Sequence, residues 1–409
     1  MVFRDYDPAR DREAVRRIWQ EVGWHSKDKE EAMYLVIEAG PAMVAEVDGE
    51  AECLVQTVPG AIRYLREDLP FICVTGVTTS HVARKQGFPR QLVATLLARA
   101  VANGAILAGL GMFEQGFYNQ LGFGTGGYEH SMSFDPAQLR VPVRARVPRR
   151  VTNKDWEMVH ACRLARRRGH GSCNLTPPTF TQSEMLYTHG GFGLGYCDGA
   201  NGELTHHVWC GCHGDMERGP YEIQWMAFQT PEQFLELLAV IRNLGDQVRL
   251  VKMRELPGIQ MQDLLDKPLK HREVTEKSKF EVGADSLAYW QMRICDLAAC
   301  LAKTHLRCDE LRFNLSLTDP LARYLEGSAW QGAGGKYIIT LGAQCAAESG
   351  DDPSLPTLTA TVPSFTRLWL GVRPATGLAI TDDLSGPQAL LEQLDEAFLL
   401  PEPHPDWDF

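Results

Sequence analysis

No run of about 18 apolar residues occurs in this 409-residue chain, so the sequence predicts no membrane-spanning helix. The opening MVFRDYDPARDREAV has no apolar core of the kind a secretory signal needs. The eleven cysteines are scattered, with no C-x-x-C pair and no dense even spacing. That excludes a disulfide scaffold, and with no export signal the thiols read as reduced and the protein as cytoplasmic. Positive charge is in short supply: 41 Lys and Arg stand against 52 Asp and Glu, a net charge of −11. A general nucleic-acid binder is therefore excluded, and cationic ligands are mildly favoured. The last 29 residues hold eight acids and no Lys or Arg. By contrast, residues 140–170 hold ten Arg and Lys against two acids, Asp155 and Glu157. Apolar residues at 44% and charged residues at 23% are ordinary for a folded soluble chain. The length suggests two to four domains at about 100–200 residues each.

The periodicity reads as mixed α/β. Val15, Ile18, Trp19 and Val22 share one face of a helix over 11–22. Two strands over 42–47 and 51–58 are joined by the Asp48-Gly49 turn, a hairpin signal. An apolar strand over 71–77, a polar turn over 78–89, a helix over 90–101 and a strand over 105–110 follow. Asp135-Pro136, Pro142 and Pro148 then break the pattern. Beyond them a helix is expected over 154–168, a strand over 221–228, a helix over 232–243 and a strand over 248–253. This order repeats the first segment weakly, but no glycine-rich turn precedes its helix. A third segment alternates at Leu311, Phe313, Leu315 and Leu317, with further strands expected over 336–345 and 357–362. Pro387 then opens a helix with Leu390, Leu391, Leu394 and Phe398 inward. The expected fold class is α/β (α+β), with domains over 1–140, 141–285 and 286–409.

Two motifs carry chemistry. Arg84-Lys85-Gln86-Gly87-Phe88-Pro89-Arg90 lies between a strand and an amphipathic helix. A glycine lets backbone amides approach a ligand, and a helix N-terminus adds unpaired N–H groups and partial positive charge. That suits a phosphate or pyrophosphate; a solvated basic turn is the plainer alternative. The second motif is Glu114-Gln115-Gly116-Phe117-Tyr118-Asn119-Gln120-Leu121-Gly122-Phe123-Gly124. A tyrosine at a strand–helix junction can protonate a leaving group, since a phenol with pKa near 10 is an acid at neutral pH. Its plainer alternative is a packed core tyrosine.

Together, the strand, the Arg84-x-x-Gly87 turn, the helix and Tyr118-x-x-Leu121-Gly122-Phe123-Gly124 resemble the acetyl-CoA-binding core of the GNAT N-acetyltransferases. The degenerate second α/β unit and a third domain ending in Phe409 resemble the enhanced intracellular survival (Eis) group of that family. There, two tandem GNAT-like domains precede a sterol-carrier-protein-like domain. The resemblance implies acetyl-CoA as cosubstrate and direct acetyl transfer to an amine. It implies that Val77 and Thr78 pair with the pantetheine arm. It assigns the pyrophosphate to Arg84, Lys85, Gln86, Gly87, Phe88, Pro89 and Arg90, with Glu114 also on the cofactor side. It makes Tyr118 the general acid and the Phe409 α-carboxylate the general base, with Asp408 adding negative charge near a cationic acceptor. Trp24 and His25, by position, are expected to line the amine pocket. A homo-oligomer is implied, a hexamer as in the family. Two departures stand out: the stretch from Val77 to the turn is longer than usual, and Pro89 replaces a small residue and removes an N–H donor.

Other groups have plainer readings. Cys197, His206, His207, Cys210, Cys212 and His213 crowd together without zinc-knuckle spacing, and no metal is expected. Arg166-Arg167-Arg168 is a solvated face, or meets the acidic tail or a neighbouring subunit. The glycines from Gly122 to Gly127 read as strand and turn. Glu52 and Gln56 on the second hairpin strand face either way. A lipid-binding carrier with a decayed GNAT core is the alternative function.

Overall fold

The computed structural model describes residues 1–26 and 29–408. The N-terminal sheet begins with β1 (Val2–Asp5), β2 (Ala42–Val47), β3 (Glu50–Tyr64), β4 (Glu67–Thr79) and β5 (Leu107–Gly111) side by side in that order. Beyond β5 comes a strand from far along the chain, Trp290–Ile294, and only then β6 (Gly124–Thr125). The short strand Cys173–Leu175 joins β3. Asp48-Gly49 makes the β2–β3 hairpin, with Asp48 and Gly49 both at positive φ. Among the described residues this unit holds the helices α1 (Pro8–Glu21), α2 (Glu30–Glu38), α3 (Phe88–Ala102) and α4 (Gln115–Asn119). In α1 the Asp7 side chain accepts from the Ala9 amide and Pro8 takes the first helical position, while Val15, Ile18 and Trp19 are buried. All neighbours in this sheet are antiparallel except β4 and β5, which run parallel because α3 crosses between them.

The second sheet repeats that crossover. Strands Tyr221–Ala227 and Val251–Arg254 are parallel and bracket the helix Pro231–Asn243. They lie in a seven-stranded sheet with Phe192–Tyr196 and His206–Cys212 on one side. On the other side Glu129–Phe134 pairs with Val251–Arg254 and Gly283–Leu287. The two α/β units therefore exchange chain: Glu129–Phe134 follows β6 directly yet belongs to the second sheet. The third sheet has five strands, with Leu311–Thr318 at its centre between Gly335–Leu341 and Thr357–Thr361. Its inner face (Phe313, Leu315, Ile339, Leu358) packs with Phe365, Trp369, Leu390 and Leu394, and this core is continuous with Val58, Phe71 and Leu107 under the first sheet.

Three expected elements differ in detail. The strand expected over 336–345 stops at Leu341, because Gly342 turns the chain before Ala346–Ser349. The helix expected over 154–168 is a 3-10 turn followed by Trp156–Ala165; Arg166 is extended and leaves the helix to make its own bonds. The strand expected over 357–362 gives way at Val362 to the helix Val362–Trp369.

Candidate functional site

The site begins at a fault in the first sheet. Leu54 faces Thr78 and Gln56 faces Thr75, so Gly76 and Val77 together oppose Val55, a β-bulge in β4. Gly76 adopts φ +63, a conformation glycine takes without strain. Parallel pairing with β5 covers only Phe71–Cys73, after which β4 and β5 separate. The bulged stretch thus has main-chain groups free of its β5 neighbour, where an extended ligand can add to the strand edge.

Past β4 the chain makes the Arg84–Arg90 turn. Arg84, Lys85 and Gln86 are exposed, and Lys85 and Gly87 have positive φ. Gly87 is the N-cap of α3 and no side chain caps this end. A Cβ placed on Gly87 would meet nothing within 4 Å, so the space over the helix N-terminus is open. Phe88 is buried in the core, Pro89 supplies no N–H, and the Arg90 amide turns back to the Gly87 carbonyl at 3.1 Å. The corresponding helix of the second unit is closed. There the Thr230 hydroxyl accepts from the Gln233 amide and Gln233 returns a bond to the Thr230 amide. One helix end has no side-chain cap; the other satisfies itself.

On the other side of β4 lies a cleft of about 480 Å³. The first unit contributes Trp19, Trp24, Thr75 and Gly76, so the cleft reaches the bulge itself. The second unit supplies Glu184, Tyr187, His189, His213, Glu222 and Trp225, and the C-terminal tail supplies Asp408. Trp24 meets Trp19 edge to face with centroids 5.9 Å apart. The His189 Nδ1 lies 2.8 Å from the Cys212 carbonyl, which fixes that nitrogen as the donor. Burial raises the Glu184 carboxyl above its ordinary range against the pull of Arg163, its ion-pair partner.

The tail is anchored residue by residue. Its backbone bonds to His170 through His404 and to Cys173 through Pro405. Arg166 holds Asp406 of the acidic tail at 2.7 and 3.1 Å, while Arg167 is exposed and Arg168 pairs with Asp68 at 2.8 Å, so the arginine run divides among its readings. Trp407 is buried with the Arg163 guanidinium 3.7 Å from its ring centroid. Arg254 pairs with Asp408 and also donates to the Tyr289 hydroxyl at 2.7 Å.

Trp24 and Asp408 therefore share the cleft. His25 is buried and lies off its wall. Thr78 is buried, with its hydroxyl toward the Gly76 carbonyl at 3.3 Å, and Val77 is half-buried. Glu114 is exposed at the start of α4. Tyr118 is 7% exposed, in the core cluster that also holds Ala83, Phe88 and Leu92 of the turn and α3. Burial, and secondarily Glu114, push its phenol above the ordinary value. Phe409 lies outside the described residues. Glu52 and Gln56 both turn inward, to Arg17 at 2.9 Å and to the Ile37 carbonyl at 3.1 Å. Within the histidine and cysteine cluster of the second unit, His206, His207, Cys210 and Cys212 are divided between the two faces of the strand His206–Cys212, and Cys197 and His213 lie outside that strand. His207 accepts from the Trp225 indole at 2.9 Å, and burial lowers its pKa to about 3. Asp198, His206 and Glu236 do converge within 4.8 Å, with Arg146 binding both carboxylates at 2.7 Å.

Residues 6–126, which hold the bulge, the turn and Tyr118, match the family model of the acetyltransferase (GNAT) domain. By that match the N-terminal unit is similar to the GNAT acetyltransferase domain. The sequence search of curated proteins finds no match. Solved structures extend the likeness to the whole chain. A conserved protein of unknown function from Enterococcus faecalis V583, described as a probable N-acyltransferase, is 16% identical with a TM-score of 0.78, covering 100% of this chain and 99% of that one. A GCN5-related N-acetyltransferase from Kribbella flavida is 18% identical with a TM-score of 0.72, covering 100% and 98%. Eis1 from Mycobacterium abscessus is 14% identical with a TM-score of 0.75, covering 100% of both chains. At these identities the likeness is one of fold, and it runs through all three sheets. The cleft residues Glu184, His189, Glu222 and Trp225 lie outside the GNAT domain and had no sequence signal. Gly76 had one: a glycine inside a strand marks a bulge.

Proposed function

We propose that this chain is an acetyl-CoA-dependent N-acetyltransferase that transfers the acetyl group directly to an amine. The observation that carries the reading is the cleft that meets the bulged β4 at Thr75 and Gly76. A thioester laid along that strand, its pyrophosphate at the open N-terminus of α3, presents its carbonyl carbon to the cleft. Val77 and Thr78 would pair with the pantetheine arm, and Arg84, Lys85, Gln86, Gly87, Phe88 and Arg90 would surround the phosphates. The amine nitrogen attacks the carbonyl carbon, the C–S bond breaks, and holding both substrates supplies much of the rate. Tyr118 donates a proton, or a hydrogen bond, to the departing thiolate; its raised pKa keeps the phenol protonated at neutral pH. The Phe409 carboxylate, next to Asp408, takes the proton from the attacking nitrogen. Aromatic walls with the Glu222 carboxylate favour a cationic acceptor, small molecule or peptide. We assign the domains along the chain to 1–140, 141–285 and 286–409, the last sterol-carrier-protein-like, with Glu129–Phe134 lent to the second sheet and Trp290–Ile294 to the first, in a cytoplasmic homo-oligomer, hexameric by resemblance. Among the described residues no helix is long and apolar enough to cross a membrane.

The deciding experiment is calorimetric titration with acetyl-CoA, with Arg84→Glu and free CoA as comparisons. Saturable micromolar binding, weakened in the variant, is expected; no binding at millimolar acetyl-CoA would remove the cofactor site. In turnover, Tyr118→Phe is expected to lower kcat by about 10²–10⁴-fold and leave acetyl-CoA affinity in place. Unchanged turnover would withdraw the acid role.

A further inference from the structure

We propose that Gln291 and Arg293, on the strand Trp290–Ile294, are positioning residues for the Tyr118 segment, so that the C-terminal third of the chain takes part in acyl transfer. The inference rests on the reading of Tyr118 as the acid. Alternate residues of a strand face opposite sides. Trp290, Met292 and Ile294 join the core shared with the third sheet. Gln291 and Arg293 face the other way, and both are 0% exposed. Polar side chains at such positions are unfavourable unless their bonds are made. Here four donated bonds, to Asn119 in α4, Leu121 after it, Thr125 in β6 and Asp319 in the third unit, offset part of that cost. Gln291 donates to the Asn119 side-chain oxygen at 3.3 Å and to the Thr125 hydroxyl at 3.0 Å. Asn119 in turn donates to the Phe123 carbonyl at 3.0 Å. Arg293 donates to the Leu121 carbonyl at 2.6 Å and to Asp319 at 2.7 Å.

Asp319 is itself fixed, accepting from the amides of Leu321 at 3.0 Å and Ala333 at 2.9 Å. The guanidinium therefore spans from a rigid carboxylate in the third unit to the carbonyl three residues after Tyr118. It also fills the space beside Gly122, where a Cβ would lie 2.5 Å from Arg293 Nη1. The same segment closes on Tyr118, whose carbonyl accepts from the amides of Leu121 at 2.9 Å and Phe123 at 3.2 Å. Asp319, Arg293, Leu121 and Tyr118 are all buried, and hydrogen bonds of 2.6–2.9 Å link them in sequence. A displacement of Tyr118 by a fraction of an ångström is enough to slow transfer.

The test uses the full chain and two substitutions. Arg293→Lys keeps the charge opposite Asp319 but loses the planar fork that reaches both partners. Gln291→Met keeps the size and removes both donated bonds; it carries the test if Arg293→Lys does not fold. CoA release from acetyl-CoA is measured with spermidine, with kanamycin and with water alone as acceptor, in the native and Tyr118→Phe backgrounds. The expected result is a kcat loss on the order of tenfold in the native background, an unchanged KM for acetyl-CoA, and no further loss when Tyr118 is already Phe. Equal losses in both backgrounds would overturn the proposal, as would no loss in either. If Tyr118→Phe itself leaves turnover unchanged, the acid reading fails instead, and the loss in the variants needs another origin. Hydrogen exchange over 115–125 gives a readout independent of any acceptor. Faster exchange confined to that segment is expected in both variants, and unchanged exchange would overturn the proposal.

Discussion

Glu129 has a carboxyl group only 4% exposed, with Arg254 and His404 nitrogens each 3.8 Å from one of its oxygens. Burial pushes its pKa up to about 7 from the ordinary 4.5; Arg254 opposes this, while Asp408 and Asp406 add to it. The native state thus keeps a proton that the unfolded chain releases between these two values. Stability from this group is complete below pH 4.5 and is lost as pH rises to about 7. Glu129→Gln is expected to stabilise the protein at pH 8 by about 3 kcal/mol and to have little effect at pH 4. Urea unfolding at the two pH values checks this, and an equal shift at both would contradict it. The carboxyl was invisible to sequence reading because its neighbours come from distant segments: Arg254 from the second sheet, His404 and Asp408 from the tail. Trp24 and Asp408, by contrast, were legible, one from its loop position and the other from its place in a tail of recognisable type.

Two helices with the same crossover role end differently, and the difference is local and testable. Gly87 at φ +81 opens α3 with no capping side chain, whereas Thr230 and Gln233 close the helix Pro231–Asn243 on itself. Gly87→Ala meets no steric obstacle but adopts a left-handed conformation at a cost of about 1–2 kcal/mol, and it is expected to weaken acetyl-CoA binding. Thr230→Ala is expected to cost about 1 kcal/mol and leave acetyl-CoA binding unchanged. Thermal melts and titrations on the two variants check the pair; a binding loss in Thr230→Ala would contradict the assignment. Such contrasts are readable from sequence because caps are short-range. The helices α1, α3 and Pro231–Asn243, the β2–β3 hairpin and the missing glycine turn of the second unit were legible for that reason, whereas α2 and the helix Pro178–Tyr187 were not. The strands Glu129–Phe134 and Trp290–Ile294 were not. Each is short, and the buried Gln291 and Arg293 interrupt the apolar pattern that would mark a central strand. Their pairing partners are chosen by packing between units, which no local window contains.

At the scale of the whole chain, the tail does two jobs that one pair of variants separates. As structure, it neutralises Arg166 and Arg254 through Asp406 and Asp408 and covers Arg163 with the Trp407 indole. Trp407→Ala removes a fully buried ring and is expected to cost about 3–5 kcal/mol. Deleting residues 401–409 leaves three arginines without these partners, so a lower melting temperature should accompany any loss of turnover. As chemistry, the proposed role belongs to the terminal carboxylate of Phe409 alone. Adding a few glycine residues after Phe409 keeps every anchor from His404 to Asp408 and moves only that carboxylate. The extended chain is expected to melt with the native protein, bind acetyl-CoA with native affinity, and turn over at least tenfold more slowly, on the scale of losing a general base. Native turnover in the extended chain would leave the tail a purely structural strap. The base would then have to be sought among the other cleft residues, Glu184, His189 and Glu222.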